Sequence, residues 1–199
     1  SPALWLADSK DDTAMTEKIR FNLKEALLRD SFYDSEELII LRNNPTRLID
    51  RGYEYIEQGE YAKAFRIFTA GAELDRTDPD ILNGLGIALC ELGMLDEART
   101  VLDYAIMTNP DDPVIHANMA GVLWEQCEFQ NAIHYYVKSI ELDPEIEETF
   151  FNLINLYMDS GYLFMAFITC RRFLDRFPEH KEGLELMEDI ILSLGISIT

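Results

Sequence analysis

Apolar residues recur along most of the chain at helical spacing, in short blocks broken by polar turns, not in the strict alternation of strands. Between Leu82 and Ala105 the pattern is complete. Leu82, Leu85 and Leu89 line one stripe, Gly93 marks a break, and Leu95, Ala98, Val101, Leu102 and Ala105 line a second. Two antiparallel helices joined by a tight turn are predicted. The arrangement returns every 34 residues: Gly59, Gly93 and Gly161 keep one register, with Cys127 in the remaining place. Ala64, Ala98, Ala132 and Ala166 fill a second column, and Pro110, Pro144 and Pro178 end successive copies, with Arg76 at the equivalent earlier position.

Large side chains hold further columns, at Tyr61, Leu95, Phe129 and Leu163, and at Phe68, Leu102 and Tyr136 with Cys170 as the fourth. Phe68, Phe129 and Tyr136 are expected in the core, and the three cysteines are read as small buried hydrophobes. Small residues stand at Gly52, Gly86 and Ala120, and again at Gly71, Ala105 and Ser139, where two backbones must approach closely. The fourth copy carries Ile154 and Phe173 at these two positions, so it is expected to pack more loosely.

These columns resemble the tetratricopeptide repeat over four copies, residues 45–78, 79–112, 113–146 and 147–180. The resemblance implies an all-α fold, a right-handed α-solenoid of tandem helix-turn-helix repeats. Residues 181–199, with Leu184, Leu186, Met187, Ile190, Ile191 and Leu194, are predicted to form a C-terminal capping helix stopped by Gly195. Residues 1–44 lie outside the repeat pattern. Asp12 or Thr13 can cap a helix carrying Met15, Ile19, Leu23 and Leu27, and Asp34 or Ser35 can open a second through Arg42. Leu4, Trp5 and Leu6 form a non-periodic arm that is disordered, folds back on its own array or inserts into a neighbour; all three remain open.

Charge narrows the partners. The 199 residues carry 37 acidic and 17 basic side chains, a formal net charge of −20. A field of that sign disfavours nucleic acid and anionic membrane surfaces. The longest apolar run, Tyr162 to Cys170, is well short of the roughly 20 residues that span a bilayer. An odd cysteine count without CxxC spacing suits a reducing compartment, and no basic-then-apolar leader pattern is present, so a cytoplasmic protein is expected. His116, His134 and His180 have no metal-ligand spacing, and Gly84, Gly86 and Gly93 fall within a helix and its turn, not in a phosphate loop. No enzyme activity, metal or cofactor is expected.

In the family that the repeats resemble, first helices line the inside of the superhelix and hold peptide segments. Carried onto this chain, that places Tyr53, Asn83, Ile87, Asn118, Trp124, Phe151, Asn152 and Asn155 in a peptide-binding groove, rimmed by Asp50, Glu57, Asp80, Glu91, Glu125, Glu148 and Asp159. Relatives that clamp the carboxylate tail of heat-shock proteins use groove cations; here Ile49, Tyr53 and Glu148 stand at matching positions, so no such clamp is expected. Asn118 and Asn152 are similar to the asparagines with which the peroxisomal targeting-signal receptor reads a peptide backbone. Gly84, Ala117 and Gly121 are expected to leave room for a bulky ligand residue beside Tyr53, Trp124 and Phe151 as anchors.

The expected function is a non-enzymatic adaptor or scaffold that binds a basic, partly hydrophobic segment of another protein. Two alternatives accompany it. The stretches Gly-Tyr-Glu-Tyr-Ile-Glu-Gln-Gly at 52–59 and Asn-Gly-Leu-Gly-Ile-Ala at 83–88 are similar to repeats of type III secretion chaperones for hydrophobic translocators, which implies a homodimer through residues 1–44. The other alternative is a self-assembling scaffold, in which the Trp5 arm or the apolar C-terminal helix enters the next copy.

Overall fold

The computed structural model describes residues 41 and 44–195, so the helices and arm anticipated within residues 1–40 lie outside the described residues. Among the described residues the chain is all α, with nine helices. The first helices of the four hairpins are α1 (Pro45–Glu57), α3 (Pro79–Glu91), α5 (Pro113–Glu125) and α7 (Glu147–Asp159). The second helices are α2 (Tyr61–Leu74), α4 (Leu95–Thr108), α6 (Phe129–Leu142) and α8 (Leu163–Arg176); α9 (Lys181–Ser193) follows. They group into two compact units, α1 to α4, up to residue 110, and α5 to α9, from residue 111.

Three of the four hairpin starts are written in the sequence, in two further columns of the same 34-residue register. Asn44, Asp78 and Asp112 cap α1, α3 and α5 by accepting backbone N–H bonds, and each is followed by proline at the first helical position. The fourth start departs from this, with Ile146 in the cap position and no side-chain cap bond. Every hairpin turn then closes by the same pair of backbone bonds: Gly59 N donates to Ile56 O and Glu60 N to Tyr55 O, with equivalents at Gly93, Cys127 and Gly161. The turn residue must take a left-handed conformation, with φ of 71°, 73° and 76° at the three glycines and 61° at Cys127. Cys127 is therefore the one position of the four where a side chain opposes the turn.

Packing within the units is a matter of large against small. In the first unit the Phe68 ring is fully buried between α1 and α3, where a Cβ on Gly52 would lie 2.5 Å from its tip and one on Gly84 2.2 Å. Gly86 receives Leu102 in the same way, at 2.7 Å, and Gly71 receives Leu48 and Ile81 at 2.8 and 3.0 Å. No side chain larger than hydrogen fits these places without moving a buried neighbour.

The fourth hairpin was expected to pack more loosely because of Ile154 and Phe173; both side chains are nonetheless fully buried. The reason is compensation along the columns. Sixteen residues separate Gly52 from Phe68 and Gly86 from Leu102; the same spacing pairs Ile154 with Cys170, so the side that gained volume faces the one that lost it. Ten residues separate Gly71 from Ile81. The equivalent partners in the second unit are Ser139 with Thr149, whose buried hydroxyls lie 3.4 Å apart, and Phe173 with Gly183. A Cβ on Gly183 would sit 2.7 Å from the Phe173 ring.

Two further expectations are corrected. Phe129 is 39% exposed, because it is the first residue of α6 and its ring lies over the turn, outside the helix seam. The cysteines divide three ways: Cys170 is buried, Cys90 half-buried and Cys127 exposed, the last because a turn residue has no seam to enter.

Two stability outcomes are expected. Gly183→Ala should lower stability by about 1–3 kcal/mol through overpacking, and adding Phe173→Leu should recover part of that loss. Cys127→Gly should raise stability by up to about 1 kcal/mol by relieving the left-handed turn. Urea unfolding midpoints check both, and additive losses in the first pair would contradict the compensation.

Candidate functional site

The first helices present the residues singled out from the sequence. On α1, Ile49, Tyr53 and Ile56 recur at helical spacing and are half-buried, while Asp50 and Glu57 are exposed; on α3, Ile87 and Cys90 are half-buried and Asp80 and Glu91 exposed. In the second unit, α5 carries half-buried Asn118, Gly121 and Trp124 beside exposed Glu125. On α7, Phe151 and Asn152 are half-buried, and Asn155, Glu148 and Asp159 exposed.

In the first unit this face is largely filled by the protein itself. The Tyr53 hydroxyl donates to Asp80 O at 3.1 Å and accepts from Asn83 Nδ2 at 3.1 Å, while its ring stands edge-on to Phe68 with centroids 5.2 Å apart. Tyr53 and the buried Asn83 thus tie α1 to α3; Tyr53 was expected as a ligand anchor and Asn83 as a groove residue, and both are spent on this contact. The room expected at Gly84 is absent as well, since the Phe68 ring occupies it.

The second unit differs at the equivalent places. Gly121 stands where α1 has Tyr53, and Phe151 where α3 has Asn83. Outside its own helix backbone, the only described atom within 4 Å of a Cβ on Gly121 is the Tyr136 hydroxyl, at 3.8 Å, so nothing crowds the position where the first unit has Tyr53. Trp124 stands edge-on to Tyr136 at 6.5 Å beside it. Phe151 packs on Phe173 and His180, at centroid distances of 5.1 and 5.5 Å. His180 is itself fixed, its Nδ1 accepting from Gly183 N at 3.1 Å and its Nε2 lying 3.1 Å from Glu147 Oε2. The amides of Asn152 and Asn155 make no hydrogen bond among the described residues.

One electrostatic feature repeats through all four hairpins. Glu57, Glu91, Glu125 and Asp159 are the last residues of α1, α3, α5 and α7, and all four are exposed. A carboxylate there meets the negative end of the helix dipole, which costs roughly 0.3–1 kcal/mol at each site. Glu91 accepts a hydrogen bond from the Tyr61 phenol, and that bond, with the carboxylate's charge, raises the phenol above its ordinary value. Asp50, Glu57, Glu125, Glu148 and Asp159 have no ion-pair partner among the described residues. The described residues also contain no group of three or more His, Cys, Asp or Glu placed to hold a metal ion, and no helix long and apolar enough to cross a membrane.

Comparison with known proteins agrees with the repeat pattern. Family models for the tetratricopeptide repeat match residues 55–121 and 115–146. Among curated proteins, the BBSome complex member BBS4 of Bos taurus is 27% identical over 109 residues, 55% of this chain and 21% of that protein. FlbA of Caulobacter vibrioides is 29% identical over 122 residues, 59% of this chain and 20% of that protein. The chain thus spans about a fifth of the length of these relatives. Among solved structures, Pseudomonas aeruginosa PilF aligns with a TM-score of 0.67 at 18% identity, covering 76% of this chain and 70% of that one. The first TPR of Spaghetti (RPAP3) bound to the HSP90 peptide SRMEEVD aligns at 0.54 and 19% identity, covering 60% and 94%. YrrB, described as a TPR protein with an unusual peptide-binding site, aligns at 0.58 and 16%, covering 81% and 84%.

The Tyr53 assignment has a direct check. Tyr53→Phe keeps the ring and removes both hydrogen bonds, so it should cost about 1–2 kcal/mol. In a double-mutant cycle with Asn83→Ala the two losses should overlap, measured by urea unfolding; independent losses would show that the pair does not tie the helices. Thiol chemistry gives a second check: burial pushes the Cys170 thiol up to about 11, so at pH 8 in the folded protein a thiol reagent should modify Cys127 and spare Cys170.

Proposed function

The chain is a tetratricopeptide-repeat protein, and we propose that it is a non-catalytic interaction module whose first-helix faces take a basic, partly apolar segment of another protein. Repeats of this family act as protein-interaction modules, and structural neighbours include peptide binders. The observation that carries the reading is the carboxylate closing every first helix at the unfavourable end of its dipole. A cationic partner turns that repeated local cost into attraction. The peptide SRMEEVD held by the RPAP3 repeat is acidic, and the carboxylates here would repel such a ligand.

The second unit is the stronger half of the surface. Asn152 and Asn155 offer amides that can donate to and accept from an extended backbone, and Gly121 leaves space beside Trp124 for one large ligand side chain. Burying such a side chain contributes about 1.5–3 kcal/mol, more than an exposed ion pair at about 0–1. Apolar contact therefore sets affinity, and the charge sets approach and selectivity. The secretion-chaperone and self-assembly alternatives both bring copies of this chain together. A net charge of −20 on each copy opposes that, and it favours a foreign basic partner.

Peptides selected from a random display library by the full chain should carry net positive charge and one large apolar residue. Against a selected peptide, Gly121→Leu and the double variant Asn152→Ala/Asn155→Ala should each weaken binding about tenfold at unchanged helicity, read by fluorescence anisotropy and circular dichroism. Enrichment of acidic peptides, or unchanged affinity in both variants, would refute the reading.

A further inference from the structure

A second surface of the second unit lies where the α5–α6 and α7–α8 turns stand side by side. They enclose an open cleft of about 420 Å³, lined by residues 127–131 from one turn and by Ser160 and Tyr162 from the other. The Gln130 amide donates to the Tyr162 hydroxyl at 3.2 Å and holds the two turns in register. Phe129 is 39% and Tyr162 45% exposed, and beside them on α8 Phe164 and Met165 are 66% and 42% exposed. Two exposed aromatic rings lining one cleft, with two more large apolar side chains exposed on the helix that follows, are more than the scattered surface hydrophobes of an ordinary monomer.

Charge states what such a cleft accepts. From residue 111 to residue 170 the chain has ten acidic residues and a single basic one, Lys138. Glu128 lines the cleft, its carboxylate held in place by Asn131 Nδ2 at 2.7 Å, and Glu125 and Asp159 end the two helices that lead into it. The carboxylates of Glu125, Glu128 and Asp159 thus set the sign at these turns. The nearest basic residues further on, Arg171 and Arg172, begin eight positions beyond Leu163, roughly 12 Å along α8.

We propose that this cleft is a second docking site, separate from the first-helix faces, and that it takes an arginine side chain of a basic partner polypeptide against the Phe129 and Tyr162 rings with Glu128 as counter-charge. A planar, weakly hydrated guanidinium can stack on an aromatic face while donating to a carboxylate, which an ammonium does less well. The exposed Phe164 and Met165 extend the contact along the partner's backbone.

Cys127 lies in the cleft and reports its occupancy. The test uses the full chain carrying Cys90→Ser, so that Cys127 is the exposed reporter beside the buried Cys170, and follows its alkylation by uncharged iodoacetamide at physiological salt. Blocked hexapeptides of alternating glycine and arginine, glycine and lysine, or glycine and citrulline serve as probes. The arginine peptide at saturation should slow alkylation of Cys127 at least fivefold, the lysine peptide less, and the neutral citrulline peptide hardly at all. Phe129→Ala should abolish the protection, and Glu128→Gln, which keeps the shape, should raise the half-protecting concentration severalfold. Because Phe129 is exposed, its replacement should leave helicity unchanged. Alkylation unaffected by the arginine peptide, protection by citrulline to the same degree, or protection that survives Phe129→Ala would each overturn the proposal. None of these outcomes depends on Gly121, Asn152 or Asn155, so the first-helix reading stands or falls separately.

Discussion

The structure depends on one constraint, the matching of a large side chain to an absent one wherever a second helix lies against first helices. Phe68 can be fully buried only because Gly52 and Gly84 present no Cβ on either side of its ring. The same constraint explains part of the repeat: the 34-residue period places a small residue ahead of each of the first three second helices, at Gly52, Gly86 and Ala120, while the glycine behind Phe68, Gly84, belongs to the first unit alone. It also explains the tolerance of the last hairpin, where Ile154 faces Cys170 and Phe173 faces Gly183. Volume gained at one side of a seam is offset, in part, by volume lost at the other.

That packing uses one side of each first helix and leaves the other to solvent, and the two units treat the free side differently. The first closes it with Tyr53, which spends its ring on Phe68 and its hydroxyl on Asp80 and Asn83. The second has Gly121 at the same register, with nothing crowding the position. In each unit carboxylates end the first helices and give that unit's first-helix face a negative sign.

Much of this was legible in the sequence. The period, the helix hairpins, the left-handed turn positions and the acidic first helices follow from column registers that a single chain displays. Compensation was not legible, because a column read by itself shows Ile154 or Phe173 only as too large; the pairing at separations of 16 and 10 residues appears once the helices are placed together. The roles of Tyr53 and Asn83 were hidden for a related reason, since a half-buried tyrosine at helical spacing reads alike whether it faces a ligand or its neighbour's amide. The Asn-Pro and Asp-Pro helix starts were visible throughout and are the most local signal that the column analysis passed over. Phe129 shows the converse, a column position whose side chain lies over a turn and joins a cleft.

The central claim is that the open side of α5 and α7 is where a partner's segment lies. Amide chemical-shift mapping by NMR, on titration with a blocked peptide containing lysines around one tyrosine, tests it most directly. The account predicts shifts concentrated at Gly121, Trp124, Asn152 and Asn155, weakening as salt is raised. Shifts confined to α6 and α8, or spread evenly over every exposed carboxylate with no focus at Gly121, would contradict it.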